Sequence, residues 1–360
     1  MPGVALEALQ SAYASLEAEL RGLLPDTSSV LDAHTHLGRD EDGQSLELES
    51  LTRFLDQVDG GARACVFALH DPDRRPAYRV PNDRVLEWAA ATGGRLYPFC
   101  RLDPADDPIV EGERCLALGA RGIKLHPRAQ SFGFDTPAAG AIFELAREAG
   151  VPILIHAGRG MGRMDALADL ALRHPEVALI LAHGAIADQG MFATRLREHP
   201  AVFYDTSIFS APDLVELFAR VPAERIVFGS DVPYGRPVGG LYNTLRAGVR
   251  AGLHADELAM LAGGTMSALL DRRALPAPTP PRLPGVRPVS GRLTRVGAYL
   301  AMGFGAAIAS GPPADPAASA PLIAMARTAC RDPDAGEAAG ALARIDELLA
   351  TAEQALGGER

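Results

Sequence analysis

Val30-Leu31-Asp32-Ala33-His34-Thr35-His36 is a short apolar run that ends in two histidines one residue apart. Side chains two positions apart on a β-strand share a face, so His34 and His36 are expected to converge from one strand end. Two converging imidazoles make half a metal site. The pair carries weight only if the rest of the chain supplies the other half.

The same pattern repeats along the chain. Apolar runs end in a polar residue at His34, His70, Arg101, His126, His156, His183, Asp205 and Asp231, each followed by a loop and a helical pattern. Their spacing fits a strand plus a returning helix. The runs are continuous rather than alternating, which predicts parallel strands covered on both faces. Helices are expected over Leu46–Val58, from Asn82-Asp83 (as a cap) to Ala91, and from Thr136-Pro137 to Gly150. Others are expected over Arg163–Arg173, Asp188–Glu198, Pro212–Arg220, Leu241–Ala251 and Ala255–Leu270. Eight such units predict an α/β fold, a (β/α)8 TIM barrel. An amphipathic lead-in helix precedes it at residues 4–23. The barrel domain is expected over 1–273. A proline-crowded linker and a helical C-terminal extension should occupy 274–360, with Val296–Ala309 apolar enough to bury against the barrel or a second copy in a homodimer.

Of 360 residues, 48% are hydrophobic and 22% charged, which allows a large buried core. The net charge of −10 argues against a nucleic acid or an anionic membrane as partner and leaves a small-molecule substrate. Four scattered cysteines without C-x-x-C spacing, an N-terminus without a signal-peptide pattern and no apolar stretch of membrane-spanning length predict a cytoplasmic protein.

Catalytic groups of such barrels lie at the C-terminal ends of the strands. Six of the nine histidines sit at those ends here, together with Arg101, Lys124, Asp205 and Asp231. His34 and His36 from the first strand, His156 from the fifth and Asp231 from the eighth make a nitrogen-rich set with one carboxylate. That set suits one divalent ion, zinc foremost, with manganese or iron(II) as alternatives. Asp231 could take a proton from a metal-activated water, and His183 could face a substrate carbonyl as hydrogen-bond donor or proton shuttle. Lys124 and His126 share one side of their strand end and are expected to bind substrate, Lys124 pairing with a carboxylate. Arg101, Arg128 and Arg159 are candidates for holding a substrate carboxylate. Gly158-Arg159-Gly160-Met161-Gly162 lacks dinucleotide-binding spacing and follows the candidate ligand His156, so its glycines are read as allowing close approach of substrate.

As a set, Asp32-Ala33-His34-Thr35-His36, Gly122–Pro127, Ile155-His156-Ala157-Gly158, Leu181–Gly184 and Phe228–Gly235 resemble the amidohydrolase superfamily. The likeness is closer to the group that includes aminocarboxymuconate-semialdehyde decarboxylase and lactonases, and it covers residues 29–271. It implies His34, His36, His156 and Asp231 as ligands and His183 as catalytic, and it adds Tyr234 to the substrate-binding candidates. It implies a metal-dependent hydrolase acting on an amide, ester or lactone carbonyl. A non-oxidative decarboxylase at the same site is the alternative, and a non-catalytic, partner-binding barrel the second. Gly264-Thr265-Met266 stands where relatives place Gly-Asn-Ala, a departure read as structural.

Overall fold

The computed structural model describes residues 15, 18–24, 26–41, 43–58, 60–158, 164–207, 211–283, 291–309, 319–331 and 339–357. All eight expected strands form: β1 (Leu31–Arg39), β3 (Arg63–Ala68), β4 (Leu96–Arg101), β5 (Gly122–Leu125), β6 (Ile153–Ile155), β7 (Leu179–Leu181), β8 (Val202–Asp205) and β9 (Ile226–Val227). They pair in parallel in chain order. The two-residue β2 (Ser45–Leu46), antiparallel to β1, is an addition the sequence did not signal. Thr35 bridges in parallel to Val232, and Ala33 N–H donates to the Phe228 carbonyl at 2.9 Å, so the last strand's extension meets the first and the sheet curls into a barrel.

Alternation along each strand divides the core. Leu31, Cys65, Phe67, Phe99, Leu154, Ile180, Phe203 and Val227 fill the interior. Val66, Ile153, Ile155, Leu179, Leu181, Val202 and Tyr204 face the helical layer instead. Such a packed interior is a plug, so chemistry must take place above it, at the strand ends. Each fully buried phenylalanine contributes about 1.5–3 kcal/mol of transfer free energy.

Most expected helices appear with shifted ends. Pro137–Ala149 starts as read, with the Thr136 hydroxyl accepting from Ala139 N–H, and ends at Gly150 with φ +62°. The helix expected from an Asn82 cap begins earlier, at Arg79. Asn82 lies inside it, buried, and its side chain clamps the backbone of Arg101: Oδ1 accepts from Arg101 N–H and Nδ2 donates to the Arg101 carbonyl. Pro108–Ala117 is a helix the sequence reading passed over. The stretch Ala255–Leu270 is interrupted at Met260–Gly264, where a Cβ on Gly263 would collide with the Ser29 carbonyl. Of the lead-in helix, residues 15 and 18–23 are described and helical.

Beyond the barrel lie helices Gly291–Ala309, Ala320–Cys330 and Ala339–Gly357, the middle one not anticipated. They share a core of Val296, Tyr299, Ala326, Leu342 and Leu349. An Arg295–Asp188 ion pair joins them to the barrel. No helix among the described residues is long and apolar enough to cross a membrane.

Candidate metal centre and active site

The site forms where the first and last strands meet. Between Asp32 and Thr35 the register of β1 against β3 shifts by one residue, a bulge that re-aims the side chains beside it. The His34 and His36 rings end 5.2 Å apart. Asp231 follows β9 at φ +56°, a left-handed conformation uncommon outside glycine. It is held there by its own N–H to the His34 carbonyl and by its carbonyl accepting from Tyr234 and Gly235. Backbone strain of this kind is characteristic of functional positions. Asp231 Oδ1 lies 3.0 Å from both His34 Nε2 and His36 Nε2. These three buried groups form a cluster able to hold an ion.

The donor set fits a divalent ion. His34 Nδ1 sits 2.7 Å from Asp205 Oδ2, which leaves Nε2 to face Asp231, as carboxylate-oriented metal histidines do. Burial opposes ionisation of both carboxylates. The neighbouring His34 nevertheless holds Asp205 down to about 2 and Asp231 well below the usual range. Burial is also the largest influence on His36 and depresses it to about 3, so it presents a lone pair. For His34, burial and Lys124 work downward, but Asp231 and Asp205 outweigh them and raise its pKa.

His156, expected as a fourth ligand, is not brought into this tight cluster. Its Nδ1 is 3.0 Å from His183 Nε2, and its buried Nε2 has no hydrogen-bond partner among the described residues. An orphaned imidazole nitrogen of this kind is compatible with a ligand role. The second group of convergent donors, His34, His183 and Asp205, is less suited to an ion. Asp205 Oδ1 already accepts from His183 N–H, Ser207 N–H and the Ser207 hydroxyl, while Oδ2 takes His34. Its lone pairs are committed to orienting other groups.

A cavity of about 460 Å³ opens over the cluster and is lined by His36, His183 and Asp231. Lys124, His126, Arg101, Arg128, His156 and Tyr234 also line it, so these candidates are assembled around one space. Arg159 lies outside the described residues. Lys124 corrects one expectation, because its buried Nζ pairs with no carboxylate among the described residues. It lies 4.7 Å over the Phe67 ring instead, and burial brings its pKa down to about 7. His126 stacks on His156 at 3.8 Å. Arg101 is buried too, with Nη1 donating to the Ala68 carbonyl and its guanidinium 5.1 Å over Tyr78. Tyr234 donates to Asp40 at the cavity mouth.

The sequence carries no signal for a role of Ser207, or of Asp40 and Glu41, which line the cavity, and Asp205 has no assigned role there. Asp205 was visible as a strand-end acid. Ser207 carried no signal, since serine after a strand is ordinary turn composition.

A curled parallel barrel with a His/Asp cluster at its strand ends defines the class of metal-site TIM-barrel enzymes. The amidohydrolase family model matches residues 31–271, and the chain belongs to that family and is an enzyme of its superfamily. Solved structures share the fold. IDCase from Metarhizium anisopliae is 16% identical, covering 68% of this chain and 97% of its own, with a TM-score of 0.53. A probable 2-pyrone-4,6-dicarboxylic acid hydrolase from Acinetobacter baumannii is 14% identical over 68% and 99%, TM-score 0.52. The 5-carboxyvanillate decarboxylase of Sphingomonas paucimobilis is 15% identical over 68% and 99%, TM-score 0.50. No curated protein sequence matches the chain.

Proposed function

We propose that this enzyme is a metal-dependent hydrolase opening an amide, ester or lactone carbonyl in a small, carboxylate-bearing molecule. The observation that carries the reading is the approach of His34 Nε2 and His36 Nε2 to the same Asp231 oxygen, 3.0 Å each, at the floor of an open cavity. His34, His36, His156 and Asp231 would hold one ion, for which zinc suits the nitrogen-rich set best. When bound, the ion supplies an acidified water and polarises the carbonyl.

The protein's own groups do the rest. Asp231, held ionised, receives a proton. Burial keeps His183 neutral, which suits a proton shuttle better than a permanent donor to an oxyanion. Its Nε2, 3.0 Å from His156 Nδ1, is the ring nitrogen turned toward that neighbour in the cavity wall. Arg101, Arg128 and the protonated fraction of Lys124 give the cavity a cationic wall that would hold a carboxylate, while His126, kept neutral by burial, and Tyr234 at the mouth would add polar contacts. The four unpaired, buried cysteines suit a reducing compartment, and we place the protein in the cytoplasm. We assign residues 1–273 to the catalytic barrel and 274–360 to a separate helical extension.

The test is a panel of lactones, esters and amides bearing a carboxylate, offered to the zinc-loaded protein, with acid release followed in a pH-stat. Hydrolysis abolished by Asp231→Asn is the expected result. Release of carbon dioxide from aromatic or unsaturated acids, with no hydrolysis, would replace this reading with decarboxylation, a reaction named among the similar structures.

A further inference from the structure

We infer that Ser207 is a positioning residue that sets the tautomers of His183 and His156, leaving the Nε2 of His156 as a bare lone pair. The inference deepens the proposed metal centre and rests on that reading only for the use made of the lone pair.

The proton positions are fixed outward from Asp205, an acceptor. Ser207 Oγ lies 2.6 Å from Asp205 Oδ1. Two oxygens that close to an ionised carboxylate require a proton between them, and the carboxylate has none to give, so the hydroxyl donates. The hydroxyl must then act as acceptor toward its other side-chain neighbours, His183 Nδ1 at 2.9 Å and, more distantly, His34 Nδ1 at 3.3 Å, which already donates to Asp205. The Ser207 carbonyl, 3.4 Å from the same nitrogen, can also only accept. His183 therefore carries its proton on Nδ1, and its Nε2 is bare. That Nε2 lies 3.0 Å from His156 Nδ1, which must be the donor. The neutral His156 is thereby protonated on Nδ1, and its Nε2 is unprotonated, buried and without a partner.

The opposite arrangement would have His183 donate from Nε2 to His156. Ser207 would then donate to His183, and two unprotonated oxygens would be left 2.6 Å apart. The same Asp205 carboxylate takes His34 Nδ1 at 2.7 Å, so a single acid sets His34 directly and His183 and His156 through Ser207. A buried lone pair with no donor nearby is costly unless something electrophilic fills the site. Within the proposed site, that lone pair is what His156 would offer an ion.

The test uses the full chain with histidine side chains labelled with ¹⁵N, first stripped of metal by chelator. Long-range ¹H–¹⁵N spectra should show the Nδ1–H form for His183 and His156 in the wild type. Ser207→Ala should mix these tautomers and weaken zinc binding, measured by chelator competition, about 10–100-fold. Ser207→Thr, which keeps the hydroxyl, should restore both. Nε2–H forms in the wild type, or unchanged tautomers and affinity in a folded Ser207→Ala, would overturn the proposal. If Ser207→Ala does not fold, the wild-type spectrum still decides. Wild-type protein with the expected tautomers but no zinc affinity would instead refute the metal reading alone.

Discussion

Lys124 is expected to cost the fold stability, and Lys124→Met should recover it. The side chain is fully buried over Phe67, its Nζ has no hydrogen-bond partner among the described residues, and burial lowers its pKa from 10.5 to about 7. Between these two values the unfolded chain binds a proton that the folded chain does not, so this residue's penalty is largest at low pH and fades as pH rises. At about 1.4 kcal/mol per decade of pKa, the penalty is on the order of 5 kcal/mol at pH 6, about 3 kcal/mol at pH 8 and near zero above pH 10. Methionine keeps the length and apolar stem without the amine. Urea unfolding of both proteins in chelator at pH 6, 8 and 10 should show the variant more stable at pH 6, with the gap closing toward pH 10. The same substitution should raise KM for a carboxylate substrate. A variant less stable than wild type at pH 6, or a gap independent of pH, would refute the account of Lys124 as an uncompensated buried amine. A gain in stability coupled to a loss of binding would explain its presence as functional.

Removing either side of the convergent cluster, by His34→Ala or Asp231→Asn, should drop bound zinc from about one ion per chain to near none by elemental analysis. Saturating zinc should itself stabilise the wild type, by about 2.7 kcal/mol at a hundredfold excess over Kd, read from the shift in unfolding midpoint. Thr136→Ala removes the cap of helix Pro137–Ala149 and should cost about 1 kcal/mol with no change in activity. Burial raises the pKa of Glu111, but hydrogen bonds from Arg114, Asn82 and Cys115 outweigh it and hold the carboxyl below its ordinary 4.5. Its stabilisation should be complete above that value and lost as pH falls through the folded one; Glu111→Gln should flatten this part of the acid limb in a pH series of denaturation curves.

The fold was legible because a barrel writes itself into the sequence locally. Each apolar run such as Ile153–Ile155 is too short to be a helix, and its polar terminus marks which end of the strand is functional. Helix ends were legible where a cap is stereochemically specific, as at Thr136 and Gly150, and misread at Asn82. There the amide serves a tertiary contact with Arg101, 19 residues away, that no local pattern encodes. The convergence of His34, His36 and Asp231 could be anticipated because all three stand at the polar ends of apolar runs, which a barrel gathers at one face. Lys124 was misread because its position predicts burial, whereas the partner it lacks depends on where every neighbouring carboxylate points. Asp205 and Ser207 act through other side chains, and a hydroxyl that only relays a proton's position leaves no trace in spacing.

The placement of the cluster also follows from how the barrel closes. Asp32 Oδ1 accepts from His34 N–H at 3.0 Å and from Ser230 N–H at 2.9 Å, so one carboxylate ties the first strand to the last. Asp231 N–H reaches the His34 carbonyl, and His36 N–H reaches that of Val232. Gly229 allows this approach, since a Cβ there would stand 3.0 Å from the His34 Cβ. The residues that close the sheet are thus the neighbours of those that would bind the ion, separated by nearly the whole barrel in sequence. His34 and Asp231 can meet only when every intervening strand has added its increment of curvature. The site is therefore a property of the closed barrel, and an ion held there would bind the two ends of the sheet to each other.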